Sequence, residues 1–232
     1  ISPHAGWTHC DRIMTSAYSS AVKRDIETVV ILSRVHREPT KAIFLPQFTS
    51  YTTPLGEVQV DQSILKELAG NNKIYRFDNI PHIEEHSIEV QLPFIKYLWP
   101  GAKIVPILTG KSSVSLADKL ADSLNEILKD KLDKTLFVIS SSSSSYDTAE
   151  KTRKETDRFI SLLNSSDQWE LLPDMLNMGE IGACSADCLY AVLKVQEKKV
   201  SIDMLEMEYG QNSDPEEKRV CFGAFSLRER RK

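Results

Sequence analysis

Short apolar runs alternate along the chain with stretches in which apolar residues recur every three or four positions. The runs 28–33, 103–109 and 135–140 are rich in β-branched residues and predict strands buried on both faces. In the second run, Pro106 favours an edge strand or a bulge, because proline cannot donate a ladder hydrogen bond. Residues 113–131 carry apolar side chains at helical spacing. A strand, a helix and a strand in this order predict a parallel crossover unit.

The rest of the chain shows the same mixture of periods. Residues 42–45 and 56–60, separated by Pro54, predict a hairpin-like excursion. A helix is predicted from the cap Asp61 to Leu68, with Gly70 as its stop, and another over 88–95, with a kink near Pro93. Two more helices are predicted over 148–163 and 185–198. The chain is predicted to close on strands over 200–209 and 219–227, joined by the turn-rich segment 210–215. No repeat or linker interrupts this order, which favours one α/β domain.

Composition narrows the class of partner. The net charge is −4, and acidic and basic residues are interspersed, which argues against a nucleic acid as the partner. No apolar stretch approaches the roughly 20 residues of a membrane helix, so no membrane span is expected. The four cysteines are scattered and form no CxxC pair, which favours a reduced, cytoplasmic setting over a disulfide framework. The basic ending, residues 228–232, predicts a solvated tail.

Two histidines follow extended segments, where α/β proteins bind ligands. His4 lies in the phrase ISPHAGW, in which Pro3 keeps the chain extended and Gly6 allows a tight turn. His36 follows the run 28–33. Because ligands bind at the carboxyl ends of parallel strands, the two imidazoles are candidates to converge on one site. Taken singly, each histidine also fits a structural role in which its ring bonds to a nearby carbonyl.

The phrase HIEEH (82–86) matches H-x-x-E-H, the inverted zinc-hydrolase pattern. In that pattern His82 and His86 lie one helical turn apart and bind zinc, while Glu85 acts as the base. The adjacent Pro81 places His82 before or within the first helical turn, which argues against the pattern. A zinc hydrolase is therefore kept only as the last alternative.

One cysteine occupies a position that favours reactivity. Cys184 precedes the predicted helix 185–198, and a thiol near a helix N-terminus has a lowered pKa and is a better metal ligand or nucleophile. Cys188 lies one turn further along and is expected in the core. From the residues alone, a core position is also an alternative for Cys184.

Seven phrases in this order resemble one family. They are PHAGWTHC (3–10), VIL with His36 and Pro39 (30–39), TPLGEVQVD (53–61), EEHSIEVQLPF (84–94), VPILTG (105–110), FVISS (137–141) and CFGAF (221–225). On these residues, which span nearly the whole chain, the protein is identified as a member of the Memo family, whose bacterial and archaeal members are often called AmmeMemoRadiSam system protein B. The family has a further N-terminal segment, so we expect residues 1–232 to form a single Memo-like domain without that segment.

The resemblance implies the fold of class III extradiol dioxygenases: a single-domain α/β sandwich with a central, mostly parallel or mixed sheet flanked by helices. Those enzymes bind iron(II) through two histidines and a carboxylate. In the Memo family the corresponding ligands are two histidines and a cysteine, which fall on His4, His36 and Cys184. Glu85 and His86 would line the same pocket. The implied cofactor is iron or copper, or no metal at all.

The six serines 140–145 mark a departure from the family pattern. The family has S-S-D-F-C-H-W-G here, so that its acid falls on Ser142 and its histidine on Ser145. A histidine exchanges protons near neutral pH, whereas an unassisted serine hydroxyl does not. We therefore expect a divergent member with a pared-down pocket and weak metal affinity or none.

For such a protein the resemblance implies a binding, signalling or redox-linked role, of the kind attributed to eukaryotic members in signalling and cell motility, rather than an active dioxygenase. The expected partner is a protein or a phosphopeptide. An iron- or copper-dependent oxidoreductase is the alternative.

Overall fold

The computed structural model describes residues 1–37, 39–70, 72–165, 168–196, 200–210 and 219–229. Within them the α-helices are α1 (Trp7–Ser19), α2 (Gln62–Ala69), α3 (Ile80–Glu84), α4 (Leu92–Leu98), α5 (Val114–Leu128), α6 (Ala149–Asn164), α7 (Gln168–Met178) and α8 (Ala186–Val195). The strands are β1 (Thr28–Arg34), β2 (Ile43–Leu45), β3 (Ser50–Thr53), β4 (Gly56–Gln59), β5 (Tyr75–Phe77), β6 (Lys103–Thr109), β7 (Thr135–Ile139), β8 (Ser144–Tyr146), β9 (Val200–Tyr209) and β10 (Arg219–Glu229). Short 3₁₀ helices cover Glu89–Gln91 and Leu132–Lys134.

A mixed sheet forms the centre of the α/β fold, in the strand order β5-β2-β6-β1-β7. Strand β1 pairs in parallel with β6 on one side and with β7 on the other. Strand β2 pairs in parallel with β5 but antiparallel with β6. Because β6 and β7 flank β1 and run in the same direction, α5 between them completes the predicted parallel crossover unit.

The continuous apolar run of β1 is explained by burial on both faces of this sheet. Val29, Val30, Ile31 and Leu32 are all fully buried. Helix α8 lies against β1 and β7, and α5 packs on α8. Each of these side chains contributes about 1.5–3 kcal/mol relative to an exposed position, so the sheet and its helices form the main core.

The prediction that Pro106 marks an edge or a bulge is wrong, because β6 lies inside the sheet. The Ile104 carbonyl accepts a hydrogen bond from the Asp61 amide at 2.8 Å, on the side away from β1. Backbone groups of residues two apart on a strand point to the same side. The nitrogen of Pro106, which carries no hydrogen, therefore points away from β1, as the Ile104 carbonyl does. Strand β2 pairs with β6 only at Leu108 and Thr109, so Pro106 lies in a gap between two partners.

The predicted pairing of residues 42–45 with 56–60 is also wrong. The hairpin joins β3 to β4 in the register Ser50↔Gln59 to Thr53↔Gly56. Strand β2 instead enters the central sheet, where Ile43 and Leu45 are fully buried. An apolar triplet gains more from a two-faced core than from an exposed hairpin, and the polar residues 50–53 form the hairpin in its place.

A second, antiparallel sheet has the order β8-β10-β9. Strands β9 and β10 confirm the two predicted closing strands, and the turn predicted over 210–215 lies outside the described residues beyond position 210. Helix α1 packs on β9 and β10, while α6 packs on β8 and β10. The N-terminal residues connect the two sheets, since Ser2 forms a parallel bridge with Ser140 and the Phe225 amide donates to the Ile1 carbonyl at 3.2 Å.

Most predicted helices are confirmed within a few residues, and their caps explain their limits. Asp61 caps α2, and Gly70, at φ 44°, ends it. The kink expected at Pro93 is not formed, because Pro93 lies in the first turn of α4, where its missing N–H costs no hydrogen bond. The end of the helix predicted over 185–198 lies partly outside the described residues, as does most of the basic tail 228–232.

Replacing Asp61 by alanine is expected to lower the free energy of unfolding by about 1 kcal/mol. The Asp61 Oδ1 atom accepts hydrogen bonds from the amides of Ser63 and Ile64, at 3.1 and 3.2 Å, and alanine leaves both amides without this partner. Urea titration measures the difference. Asp61→Asn keeps an acceptor oxygen and is the matched control, so equal losses in both variants would contradict the capping role.

Every helix among the described residues is too short or too polar to cross a bilayer.

Candidate metal centre

The candidate ligands predicted from the sequence lie together at the carboxyl edge of the central sheet. His4 follows the extended N-terminal residues, whose Ser2 amide donates to the Ile139 carbonyl at 3.0 Å, at the end of β7. His36 follows the end of β1, where the Val35 amide donates to the Thr109 carbonyl at 2.8 Å. Cys184 comes from a different direction, just before α8.

The start of α8 is tied to the serine run, and this fixes the position of Cys184. Ser185, the N-cap residue of α8, donates from its amide to Ser141 Oγ at 3.1 Å. Its hydroxyl donates to the Ser140 carbonyl at 2.8 Å. The same carbonyl accepts from Ser33 Oγ at 2.9 Å, so β1, β7 and α8 are joined at one point directly behind the site.

His4, His36 and Cys184 each offer one ligand atom, and these atoms all lie within 4.8 Å of one another. His4 Nε2 lies 3.6 Å from Cys184 Sγ. The rings of His4 and His36 meet edge to face, with their centroids 5.3 Å apart. Three nitrogen and sulfur donors at such separations can surround one transition-metal ion.

Glu85 determines which nitrogen of His36 is left for a ligand. Its Oε2 accepts from the His36 amide and lies 3.0 Å from His36 Nδ1. A carboxylate only accepts, so Nδ1 carries the proton and Nε2 is free to face Cys184. Hydrogen bonds to Cys184 and then to Glu85 raise the pKa of His36 to about 10. Burial acts to raise the pKa of Glu85, but the hydrogen bonds from His36 outweigh it and lower that pKa.

The environment of Cys184 favours a thiolate. Burial alone would raise its pKa, but the charge of His4 and hydrogen bonds from His36, His4 and Ser141 bring it well below the ordinary value. The Ser142 amide also donates to Sγ at 3.3 Å. A thiolate is the form of cysteine that binds metals. The metal-free His36 ring keeps a second proton on the side of the thiolate, which a metal ion at Nε2 would displace. With a metal bound, the site would supply one anionic and two neutral donors.

The serine run is an internal support and not an open loop. Residues 140–144 are buried, and several of their hydroxyls bond to protein groups. Ser142 touches the site through its amide. Ser145 lies in β8 opposite Val220, and no described contact brings it to the three ligands. The run therefore offers few free hydroxyls to an anionic ligand.

His86 and His82, paired in the zinc-hydrolase pattern, lie in different surroundings. Helix α3 ends at Glu84, so one helix does not present both rings. His86 is at the mouth of the site, 5.8 Å from His4 between ring centroids, with Nδ1 3.5 Å from Glu85 Oε1. His82 is buried, with its ring nitrogens 3.1 Å from the Tyr51 hydroxyl and 3.0 Å from the Phe44 carbonyl. The structure thus contradicts the zinc-hydrolase alternative, because both nitrogens of His82 are already bonded.

A family model described as Memo-like protein matches residues 1–224. The chain belongs to the Memo-like family. The relation to class III extradiol dioxygenases implied by the resemblance is consistent with this membership.

Curated relatives support the same family. A MEMO1 family protein of Sulfurisphaera tokodaii is 30% identical over 201 residues, which cover 85% of this chain and 70% of that protein. One from Caldivirga maquilingensis is 26% identical over 215 residues, covering 92% and 76%. One from Methanobrevibacter smithii is 33% identical over 178 residues, covering 75% and 62%. These relatives are longer than the part of them that the chain matches.

A solved structure shares the fold. The crystal structure of the uncharacterized protein JW3007 from Escherichia coli K12 superposes with a TM-score of 0.51 at 12% identity, covering 90% of this chain and 91% of that one. At this identity the likeness shows the fold alone, a central mixed sheet flanked by helices.

Sequence reasoning missed the residues that support the three candidate ligands. The sequence marks Ser140 and Ser141 only as part of the serine run, and it assigns no role to Gln91 within the phrase 84–94. Gln91 is fully buried and its Nε2 donates to Ser140 Oγ at 3.0 Å. The sequence does mark Gln91 as unusual, because it is a polar amide between the apolar residues Val90 and Leu92. Buried amides need partners, so such a residue points to an internal network.

Proposed function

We propose that this Memo-family protein binds one iron or copper ion through His4, His36 and Cys184. Its role would be redox-linked or ligand-binding, without the turnover of a dioxygenase. The observation that carries the proposal is the convergence of these three donor atoms within 4.8 Å.

The donor set fits such an ion. Imidazole suits iron and copper, and thiolate suits copper(I) and iron, whereas magnesium and calcium prefer oxygen. Glu85 holds the Nδ1 proton of His36, so the ring would bind the ion through Nε2 once the proton there is displaced, and Cys184 is stabilised as a thiolate. When bound, iron or copper would supply one-electron redox chemistry and open positions for a small ligand.

The chain's own residues hold and orient the donors. Glu85 bonds both the ring and the amide of His36, so the ring cannot turn without losing two hydrogen bonds. The Ser142 amide, 3.3 Å from Sγ, donates to the thiolate and stabilises its charge, and the Ser141 hydroxyl lies beside the sulfur at 3.5 Å. Outer partners of this kind fix the orientation and basicity of metal ligands.

The serines at two substituted positions are the reason to expect no dioxygenase turnover. Ser142 and Ser145 stand where the resemblance places an acid and a histidine. A serine hydroxyl does not take up a proton near neutral pH, and Ser145 lies in a strand outside the cluster. A substrate bound at the site would therefore lack the proton acceptor that those positions supply in the family.

An active oxidoreductase is the second candidate, and His86 favours it. Its side chain is half exposed at the mouth and lies beside Glu85. Imidazole exchanges protons near neutral pH, so one proton-transfer group remains close to the three ligands. Oxygen consumption by the metal-loaded protein with small phenols would support this candidate, and its loss in His86→Phe would assign the group.

A protein or phosphopeptide partner stays a prediction. The mouth carries His36, His86 and the exposed Arg37, whose cation suits an anionic group. Binding of a phosphopeptide, weakened in Arg37→Gln, would support it.

Metal analysis tests the proposal directly. The full chain is purified without oxygen, loaded with Fe(II) or Cu(I), desalted, and measured by mass spectrometry of the metal. We expect metal close to one ion per chain, in keeping with one group of three ligands in the described residues. His9→Ala removes an exposed histidine of α1 and is the control that should retain the metal. Metal near zero after both loadings would overturn the proposal.

A further inference from the structure

Behind the candidate metal centre lies a chain of buried hydrogen bonds that ends on His4. Gln91 lies in the 3₁₀ turn Glu89–Gln91, before α4, and is fully buried. Its Nε2 lies 2.7 Å from the Pro3 carbonyl and 3.0 Å from Ser140 Oγ. Its Oε1 lies 3.0 Å from the Tyr18 hydroxyl. Ser140 Oγ in turn lies 3.1 Å from His4 Nδ1.

The orientation of the Gln91 amide follows from its partners. The Pro3 carbonyl can only accept a hydrogen bond, so the group facing it must be the NH₂ of Gln91. The opposite orientation would put two oxygens 2.7 Å apart. The second N–H of the amide is therefore directed at Ser140 Oγ, and Oε1 accepts from Tyr18.

The direction of the Ser140 hydroxyl follows in the same way. It has one hydrogen, and the Ser87 carbonyl, 2.7 Å away, can only accept it. Since Gln91 donates to the same oxygen, Ser140 has no hydrogen left for His4. The remaining contact requires His4 Nδ1 to be the donor, so the neutral ring carries its proton on Nδ1. Its Nε2 faces Cys184 Sγ, 3.6 Å away, and is the nitrogen that a metal ion would take up in place of any proton shared with the thiolate.

We propose that Ser140 and Gln91 are positioning residues that impose the Nδ1–H tautomer on His4 and thereby make its Nε2 a ligand. Gln91 also fixes the backbone directly before His4, through the Pro3 carbonyl. The two candidate histidines thus obtain the same tautomer by different means: His36 from a carboxylate and His4 from a hydroxyl that cannot donate. The inference about metal affinity rests on the proposed function, but the tautomer does not.

The tautomer is read first in the metal-free protein, by ¹⁵N nuclear magnetic resonance of the His4 ring at a pH where the ring is neutral. In the wild type we expect a protonated Nδ1 and an unprotonated Nε2. In Ser140→Ala, the loss of the acceptor should give a mixture of both tautomers. Ser144→Ala is the matched control, because Ser144 is an equally buried serine whose hydroxyl bonds to the Thr152 carbonyl and to Thr156, away from Ser140 and His4.

Two variants, one at Gln91 and one at its partner Tyr18, separate the hydrogen bonding of Gln91 from its role in packing. Gln91→Met removes the donor to Ser140 and should shift the His4 tautomers in the same direction as Ser140→Ala. Tyr18→Phe removes only the outermost hydrogen bond and should leave them unchanged. Should Gln91→Met fail to fold, Ser140→Ala still decides the inference, because it removes one small side-chain oxygen.

Metal affinity is the second readout, with Zn(II) as a diamagnetic probe. We expect Ser140→Ala to bind it about 10–100-fold more weakly than wild type, the usual cost of losing an outer partner of a metal ligand. A wild-type ring protonated on Nε2, or an unchanged tautomer in Ser140→Ala, would overturn the inference. If the tautomer depends on Ser140 but the wild type binds no metal, the inference holds and the proposed function fails.

Discussion

Replacing Cys184 by serine is expected to weaken metal binding by at least about 100-fold, since removing even an outer partner costs about 10–100-fold. The thiolate is the anionic donor among the three ligands, and a serine hydroxyl stays neutral in its place. The two imidazoles that remain are neutral as ligands and leave the charge of the ion uncompensated. Competition with a chromophoric chelator measures the dissociation constants of both proteins for Fe(II), Cu(I) and Zn(II).

Cys10→Ser is the matched control for this prediction. Cys10 is buried in α1, outside the three-residue cluster, and its Sγ lies 3.3 Å from the Ala5 carbonyl, to which a serine hydroxyl can also donate. This variant should bind metal as tightly as the wild type. If Cys184→Ser and Cys10→Ser bind the metal equally well, the thiolate is not a ligand, and a site built on His4 and His36 alone must be considered.

The apolar pattern was sufficient to predict the central elements of the fold. Residues 28–33 were recognisable as a buried strand because every side chain of a parallel central strand faces protein, which leaves a continuous apolar run. Residues 135–140 were recognised as a strand too, but they form the edge strand β7, where Leu136 and Phe137 are only partly buried. The cap at Asp61 was readable because its effect is local. The same information failed for β2, since which strand pairs with it depends on the distant β6 and β5.

The ligands were predictable only in part. His4 and His36 could be named from their positions after extended segments, whereas Cys184 depended on its place before a helix and on the resemblance to the Memo family. What joins the three is the contact of α8 with the serine run through Ser185 and Ser141, which are far apart in sequence. The hydrophobic periodicity of the sequence does not reveal a contact between such distant residues.

The serine run shows why residue type alone was misleading. Compared with the family pattern, the six hydroxyls suggested a pared-down pocket without its acid and its histidine. In the fold, Ser140 orients His4, while Ser141 and Ser142 hold the thiolate of Cys184. Groups that do not titrate can still decide where the protons of titrating neighbours reside, and this information lies in the geometry of donors and acceptors.

His82, a buried histidine outside the site, makes the fold sensitive to acid. Its Nε2 faces the Phe44 carbonyl, which only accepts, so Nε2 carries the proton and Nδ1 accepts from the Tyr51 hydroxyl. The ring is therefore buried in its neutral form. Burial lowers the pKa of His82 to about 4, against an unperturbed value of 6.5, although the Phe44 carbonyl acts in the opposite direction.

Lowering the pH from 7 to 4 is expected to remove about 3 kcal/mol of stability through this residue alone, because each unit of pKa difference corresponds to about 1.4 kcal/mol. Between these pH values the unfolded chain binds a proton at His82 that the folded chain does not bind. The stabilisation is thus complete above pH 6.5 and is lost as the pH falls toward 4.

In His82→Gln, which can keep one donor and one acceptor but does not titrate, the free energy of unfolding from urea titrations should depend less steeply on pH in this window. His9→Gln removes an exposed histidine and should leave the slope of the wild type. If His82→Gln and the wild type lose stability in parallel, the ring must be charged in the folded protein, and its hydrogen bonds to Tyr51 and Phe44 would have to be assigned differently.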